Sequence, residues 1–316
     1  MRWGFLGASR IGRRALAPAV QEAGHELYAV AARDLARAEA FAAECGAARA
    51  YQGYDALLAD PAIDAVYNAL PNDAHLPWTL KALAAGKHVL CEKPLALSAA
   101  EVSAMRDASR RAGKGVMEAF CHVHHPQIDR VRGLLASGAV GGLVSLHCAS
   151  GLTIEEADDF RWHAAQGGGA LFDIGCYCVS LMRVLVGREP VRVMGIQAPR
   201  GEVDETFSGL LDFGGGLAGQ FTCSFAAAKN QDLIVIGTRE RLHLNWPIST
   251  KGRSTRLQLG EKVEEFPPMD PYVAMVRYFA SSEDAYGLDW SLAQARVLDA
   301  LFAAVRTGHT INVNPS

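Results

Sequence analysis

Short apolar runs alternate with longer alanine-rich segments over the first 120 residues. Residues 3–6 read as a strand ending at Gly7, residues 11–23 as a helix closed by Gly24, residues 27–32 as a second strand and 35–44 as a second helix. Residues 65–70 and 88–91 continue the strands, and 74–85 and 98–112 the helices, the last with Ser98 as cap and Glu101 three positions on. Residues 115–118 close the series. Strands alternating with helices of this length predict βαβ units and a parallel sheet. Beyond about residue 120 the rhythm changes. Helices are expected at 127–136 and 168–186, and strands at 143–152, 191–198, 206–212, 217–225, 233–237, 241–244, 256–259 and 262–266, with Gly214-Gly215-Gly216 turning one hairpin. Terminal helices are expected at 272–280 and 291–306. The pattern predicts an α/β chain: a domain on a parallel sheet over 1–120, then an α+β domain over 121–316 on a largely antiparallel sheet. The terminal helices have the option of packing back on the first domain.

Length and composition sharpen this only a little. The chain has 316 residues, half of them hydrophobic, enough to bury a core without metals or disulfides. A formal net charge of −3 gives no support to a polybasic nucleic-acid binder. Seven scattered cysteines without a C-x-x-C are expected to be reduced thiols. No uninterrupted run of 18 apolar residues appears, and the chain opens directly into a strand with no signal-peptide pattern, so a cytoplasmic location without a membrane partner is expected.

Gly7-Ala8-Ser9-Arg10-Ile11-Gly12 follows the first strand and opens the first helix. It is a G-x-G-x-x-G motif with Ser9 in place of the second glycine, and it predicts a pyrophosphate at the helix start. The second strand ends in Ala31-Ala32-Arg33-Asp34. Arg33 suits a 2′-phosphate, and Arg37, Arg10 and Arg13 reinforce it, so NADP(H) is preferred over NAD. Asp34 lies one position late for a ribose carboxylate and serves equally as a helix cap, with Arg33 then a solvated charge.

Two further segments carry chemistry. Cys91-Glu92-Lys93-Pro94 follows a buried strand at the carboxyl edge of the expected sheet, where Lys93 could polarise a hydroxyl or carbonyl. Gly167-Gly168-Gly169 precedes Asp173-Ile174-Gly175-Cys176-Tyr177, in which Asp173 and Tyr177 share a helical face. A surface hydrogen bond and a packed tyrosine would read the same way.

These three motifs together resemble the glucose–fructose oxidoreductase/inositol dehydrogenase (Gfo/Idh/MocA) family over essentially the whole chain, which implies a Rossmann dinucleotide-binding domain over 1–120 and a second domain on a large, open, mostly antiparallel sheet over 121–316. The usual family motif has His where this chain has Tyr177. Tyr there resembles the subgroup of NADP-dependent D-xylose dehydrogenases, dimeric trans-dihydrodiol dehydrogenases and glucose–fructose oxidoreductase. The resemblance implies hydride transfer at a substrate carbon, with Tyr177 as general acid/base and Lys93 lowering its pKa from about 10 and stabilising an alkoxide. Asp173 would orient the substrate or Lys93. Whether Tyr177 or Lys93 carries the proton is left open by the sequence. Leu70-Pro71-Asn72 with His75 resembles the family's T-P-N-x-x-H stretch beside the nicotinamide, and Glu92 and Lys93 join that cofactor set. Arg161 matches an arginine of the sugar-oxidising subgroup, and Trp162 and Trp246 could stack on a sugar or simply pack.

The segment 118–127 departs from the subgroup: His122, Val123 and His124 stand where Tyr, Arg and Phe are usual. It is expected to line the substrate pocket, with His122 and His124 as contacts and a substrate other than the familiar pentose. Cys121, His122, His124 and His125 also invite a zinc reading, but their spacing fits no standard site and no metal is expected. The resulting expectation is an NADP-dependent oxidoreductase acting on a pyranose sugar (an aldose 1-dehydrogenase type) or a related cyclic diol. A keto-sugar reductase, such as one acting on 1,5-anhydro-D-fructose, is the alternative within the class; a non-catalytic dinucleotide-binding regulator is the alternative outside it. By family analogy the second domain's sheet face implies a homodimer or higher homo-oligomer.

Overall fold

In the computed structural model the chain is described over residues 1–281 and 287–313. It divides into two compact units, Met1–Phe120 with Tyr272–Leu292, and Cys121–Pro271 with Ala293–Ser316.

The first unit is built on six parallel strands: β1 (Arg2–Leu6), β2 (Glu26–Ala32), β3 (Arg49–Gln52), β4 (Ala65–Asn68), β5 (His88–Cys91) and β6 (Val116–Glu118). Their order, β3-β2-β1-β4-β5-β6, reverses direction at β1 and β4. Ligands of open parallel sheets bind at such a switch point, outside the carboxyl ends of the strands. The helices are α1 (Ala17–Glu22), α2 (Leu35–Cys45), α3 (Tyr54–Leu58), α4 (His75–Ala84) and α5 (Ala99–Ala112). Strands covered on both faces are apolar throughout, and Phe5, Leu6, Val30, Val66 and Leu90 are wholly buried. Ser98 caps α5 as expected, accepting from Glu101 N–H at 3.3 Å, while the Glu101 carboxylate takes the N–H of Leu97. The expected helix over 11–23 begins with a π-turn, Gly12–Leu16, before Pro18 near the start of α1. The strand β3 and helix α3 had no counterpart in the sequence reading.

The second unit is built on nine strands. They are β7 (Leu143–Thr153), β8 (Arg192–Arg200), β9 (Val203–Asp212), β10 (Ala218–Ser224), β11 (Ala226–Gly237), β12 (Arg241–Asn245), β13 (Thr255–Leu259), β14 (Lys262–Phe266) and β15 (Ile311–Asn312). Their order is β14-β13-β12-β11-β7-β10-β9-β8-β15, and β7 with β10 is the parallel pair in an otherwise antiparallel sheet. The helices are α6 (Pro126–Ala136), α7 (Cys176–Val186), α8 (Pro271–Ser281, assigned almost wholly to the first unit) and α9 (Leu288–Thr307). One sheet face takes α7 and the end of α9 so closely that glycines are needed. A Cβ on Gly219 would meet Met182, and one on Gly209 would meet Phe221 and Leu301. The other face carries Met194, Ile196 and Leu210 exposed.

The stretch Ala164–Val186 is long and apolar enough to cross a bilayer, yet 78% of its most apolar window is buried inside the protein. Its hydropathy is that of a core helix.

Candidate active site

The first unit brings its cofactor-type residues to the carboxyl ends of β1, β2, β4 and β5. Gly7 adopts φ +97°, and its N–H donates to Ala31 O at 2.9 Å. Ser9, standing in for the middle glycine, accepts the Gly12 N–H at 3.0 Å and so closes the start of the helix. A Cβ on Gly12 would lie 2.9 Å from that hydroxyl, which is why this position needs glycine. Arg10, Arg13, Arg14 and Arg37 line a cleft of about 650 Å³ with Ala8, Ala40 and Glu44. Arg13 is paired with Glu44 at 3.2 Å. Asp34 accepts the Arg37 N–H at 3.0 Å and caps α2. Arg33 is exposed at the end of β2. Burial pushes the Tyr54 phenol up, and the nearby guanidinium groups of Arg33 and Arg37 oppose that shift. Both arginines therefore stand beside one phenol. This concentration of cationic groups near a glycine turn fits a phosphorylated dinucleotide.

The Lys93 turn is held from below. Tyr67, fully buried on β4, donates to Glu92 Oε1 at 2.6 Å, while Lys93 N–H donates to Glu92 Oε2 at 3.3 Å. Burial and then the Glu92 charge push the Tyr67 phenol well up, so it stays a donor. Glu118 at the end of β6 accepts the Leu95 N–H at 2.8 Å. The Lys93–Pro94 peptide is cis. The His75 ring, expected beside the cofactor, is wholly buried. Its Nδ1 lies 2.8 Å from Pro94 O and its Nε2 2.9 Å from Leu70 O. Neutral, it donates its one N–H to either the Leu70 or the Pro94 carbonyl and packs between the Leu70-Pro71-Asn72 turn and the Lys93 turn. Burial lowers its pKa to about 4 against the pull of the two carbonyls. Leu70 packs against Gly7, and Asn72 is buried at the start of a short 3-10 turn.

In the second unit the candidate residues gather around the glycine run. The helix expected from residue 168 starts at Ala170, and its first full turn, Leu171–Gly175, is a π-turn that runs into α7. Gly168 and Gly169 thread between two fixed groups. A Cβ on Gly168 would sit 2.4 Å from Arg161 O, and one on Gly169 2.1 Å from Asp204 Oδ1. Gly175 is equally constrained, because its Cβ would meet Cys223 Sγ at 2.7 Å. Asp173 is buried and accepts from Arg161 Nε at 2.6 Å; Arg161 also holds Asp159 at 3.1 Å. Tyr177 is half-buried, and its ring meets His122 edge-on at 5.2 Å between centroids.

His122 is wholly buried against Tyr177 and Ser180, whose Oγ lies 3.2 Å from Nε2. Expected in the substrate wall, it backs the ring of Tyr177 from the interior of the unit. His124 is half-buried, with its pKa lowered to about 4 by burial. Trp162 packs edge-on against Phe225, with the Arg200 guanidinium 4.0 Å over its ring. Trp246 is covered in the same way by Arg253 at 3.8 Å. Both tryptophans take the packing alternative on at least one face. Among the described residues, no three His, Cys, Asp or Glu side chains are grouped to hold a metal. Tyr67 and Asp204 were missed by the sequence reading, and Glu118 was read only as part of the 118–127 segment. Each lies in an apolar strand or at a strand end, and only its buried polarity could have marked it.

Comparison with known proteins agrees with both halves. Residues 1–120 match the oxidoreductase family with an NAD-binding Rossmann fold, and residues 128–243 match the GFO/IDH/MocA C-terminal domain. The chain is 36% identical to a D-xylose 1-dehydrogenase (NADP(+)) of Haloferax volcanii, over 99% of this chain and 100% of that protein. It is 34% identical to the mouse trans-1,2-dihydrobenzene-1,2-diol dehydrogenase, over 85% of this chain and 80% of the relative. Among solved structures, an aldose-aldose oxidoreductase from Caulobacter crescentus complexed with glycerol superposes with a TM-score of 0.91 at 28% identity, covering 99% of both chains. With its NAD(P)-binding sheet and its second, mostly antiparallel unit, the chain belongs to the GFO/IDH/MocA family of oxidoreductases.

Proposed function

We propose that this chain is an NADP-dependent oxidoreductase that interconverts an alcohol and a carbonyl carbon on a pyranose sugar or related cyclic diol. The observation that carries the reading is the support built under Lys93. Three strands and a buried histidine fix the backbone of a turn whose lysine is itself half-buried. Such rigidity is what positioning of a catalytic group requires. Arg33 and Arg37 would take the 2′-phosphate, and the Gly7–Gly12 turn the pyrophosphate. Pro71, Asn72, Glu92 and Lys93 would hold the nicotinamide half. The bound dinucleotide supplies the hydride acceptor or donor.

The chain's own residues do the rest. Tyr177 moves the proton at the substrate oxygen, and the Lys93 ammonium stabilises negative charge developing on that oxygen. Asp173, held by Arg161, orients the substrate's neighbouring hydroxyls. His122 fixes the Tyr177 ring from behind, and His124 contributes to the substrate wall. Similarity to a xylose dehydrogenase and a dihydrodiol dehydrogenase supports this substrate class. The test is NADPH formation from NADP⁺ over a panel of aldoses and cyclic diols, with Lys93→Ala and Tyr177→Phe alongside. Turnover on a panel member, abolished in both variants while Tyr177→Phe keeps its NADPH affinity, supports the reading. Turnover only in the reducing direction, on a keto sugar, replaces it with a reductase.

We further propose that a second copy of the chain covers the open sheet face. Met194, Ile196 and Leu210 are exposed there beside a cavity of about 590 Å³ that His147, Thr222 and Ile234 help to line. A contiguous apolar sheet face calls for a partner. Light scattering on the parent and on Ile196→Lys tests it: a dimer that becomes a monomer is expected, and a monomeric parent refutes it.

A further inference from the structure

We propose that Asp204 is a positioning residue for the reaction: as a carboxylate it caps the helix that carries Asp173 and Tyr177 and so sets where both side chains stand. The inference rests on the oxidoreductase reading above.

Asp204 sits at the start of β9, thirty-three residues beyond the helix it serves, and is 3% exposed. Its Oδ2 accepts the Leu171 N–H at 2.6 Å, and the carboxylate also takes the Ala170 N–H. Those are the first amides of the helix, which have no partner within it. The cap that most helices draw from an adjacent Ser, Asp or Asn is here supplied by another element. Gly167-Gly168-Gly169 has no side chain that could serve instead. A Cβ on Gly169 would collide with Oδ1, so only glycine lets the chain pass this close to the carboxylate.

The charged neighbours are all otherwise engaged. Arg161, whose backbone flanks the glycine run, gives its guanidinium to Asp159 and Asp173. On the same strand Glu205 pairs with Arg200 from β8. From β10, Cys223 faces the carboxylate, and burial together with the Asp204 charge keeps its thiol protonated. Asp173 on the helix itself is neutralised by Arg161. The Asp204 charge is therefore met by backbone amides, those of the helix start and its own, rather than by a cation. Burial pushes its pKa up to about 6, against the pull of those amides. Protonation turns one oxygen into an O–H, which can no longer accept from an amide in the same way. The helix start is then released, and Asp173 and Tyr177 move with it.

A residue kept only for stability would not be a buried, cation-free carboxylate, since its ionisation at neutral pH opposes folding. The experiment compares the parent with Asp204→Asn by three readouts: kcat against pH from 5 to 8, the backbone amide resonances of Ala170 and Leu171 over the same range, and NADPH affinity. In the parent, kcat is expected to fall on the acid side with a midpoint near pH 6, and both amides to titrate with that midpoint. Asparagine keeps one acceptor oxygen but sets an NH2 against the second amide, so in Asp204→Asn the amide titration and the acid limb disappear, and kcat drops at least about tenfold while NADPH affinity holds and the thermal unfolding midpoint does not fall. An acid limb that persists unchanged in Asp204→Asn, or full kcat in that variant, overturns the positioning role. Amides that do not titrate in the parent overturn the cap. A parent that titrates but turns over no sugar or diol instead refutes the oxidoreductase reading, and the cap stands.

Discussion

Arg161 donates through Nε to Asp173 across 2.6 Å, and this pair anchors the carboxylate of the Asp173–Tyr177 motif from outside its own helix. Asp173 is 7% exposed, so its charge is tolerated because the guanidinium meets it. Replacing Arg161 by Met leaves a buried carboxylate without its cation. The expected cost is about 3 kcal/mol in urea unfolding, with kcat/KM falling by roughly tenfold or more. Asp173→Asn removes the charge together with its need for a partner and is expected to be milder on stability. Equal unfolding midpoints for Arg161→Met and the parent would show that the pair is peripheral.

Acid should weaken the fold in a way that buried imidazoles dictate. Burial lowers the pKa of His75 to about 4, of His122 to about 3 and of His125 to about 4. Below the ordinary value of 6.5 the unfolded chain takes up protons that these folded rings refuse. Their contribution is thus whole above pH 6.5 and is lost as pH falls toward 4, at up to about 1.4 kcal/mol per pH unit for each ring. Asp204, shifted upward, runs the other way between 3.8 and about 6 and offsets one ring. His125 isolates a single contribution, because its Nδ1 caps α6 by accepting the Gln127 N–H and asparagine can do the same. Urea unfolding at pH 7, 6 and 5 should give His125→Asn a shallower loss of stability than the parent; parallel curves would remove His125 from this account.

Local spacing explains what was legible in the sequence. Gly7, Ser9 and Gly12 act within six residues, and their roles follow from one turn; the Ser98 and Glu101 cap is equally local. Strand β3 was not legible because Arg49–Gln52 has neither apolar alternation nor a buried run. The first half of β11, Ala226 to Gln231, is three alanines followed by three polar residues, none of them buried, so only its apolar end stood out. His75 and Asp204 were beyond reach for a different reason. Their partners lie nineteen and thirty-three residues away, and no periodicity encodes which carbonyl or amide a buried side chain will meet. The two π-turns add one residue to a helical turn, a change that hydrophobic spacing does not register.

Cofactor choice should rest on Arg33 and Arg37. With Asp34 committed to capping α2, the end of β2 offers positive rather than negative charge to the ribose. Arg33→Ser is expected to raise the Kd for NADPH by about tenfold to a hundredfold, the loss of one charge-assisted phosphate contact, and to leave NADH binding unchanged. Fluorescence titration with both nucleotides measures it. A parallel loss for NADH would move the 2′-phosphate away from Arg33 and toward the cleft of Arg10, Arg13 and Arg14.

Gly175 lies between Asp173 and Tyr177 and lets the helix approach β10. Its missing Cβ would fall 2.7 Å from Cys223 Sγ and 3.0 Å from a Leu171 methyl. Both neighbours are wholly buried, so neither has open space to retreat into. Gly175→Ala therefore has to push the helix off the sheet and should cost about 1–3 kcal/mol of stability, partly masked by alanine's better helix propensity. The displaced helix carries Tyr177 with it, so kcat should fall more than cofactor affinity. Cys223→Ala removes the obstructing sulfur. In a double-mutant cycle the pair should be less destabilised than the sum of the single variants, because the cavity left by one change receives the methyl of the other. Additive effects would mean that Leu171 and the helix backbone, rather than Cys223, set the need for glycine.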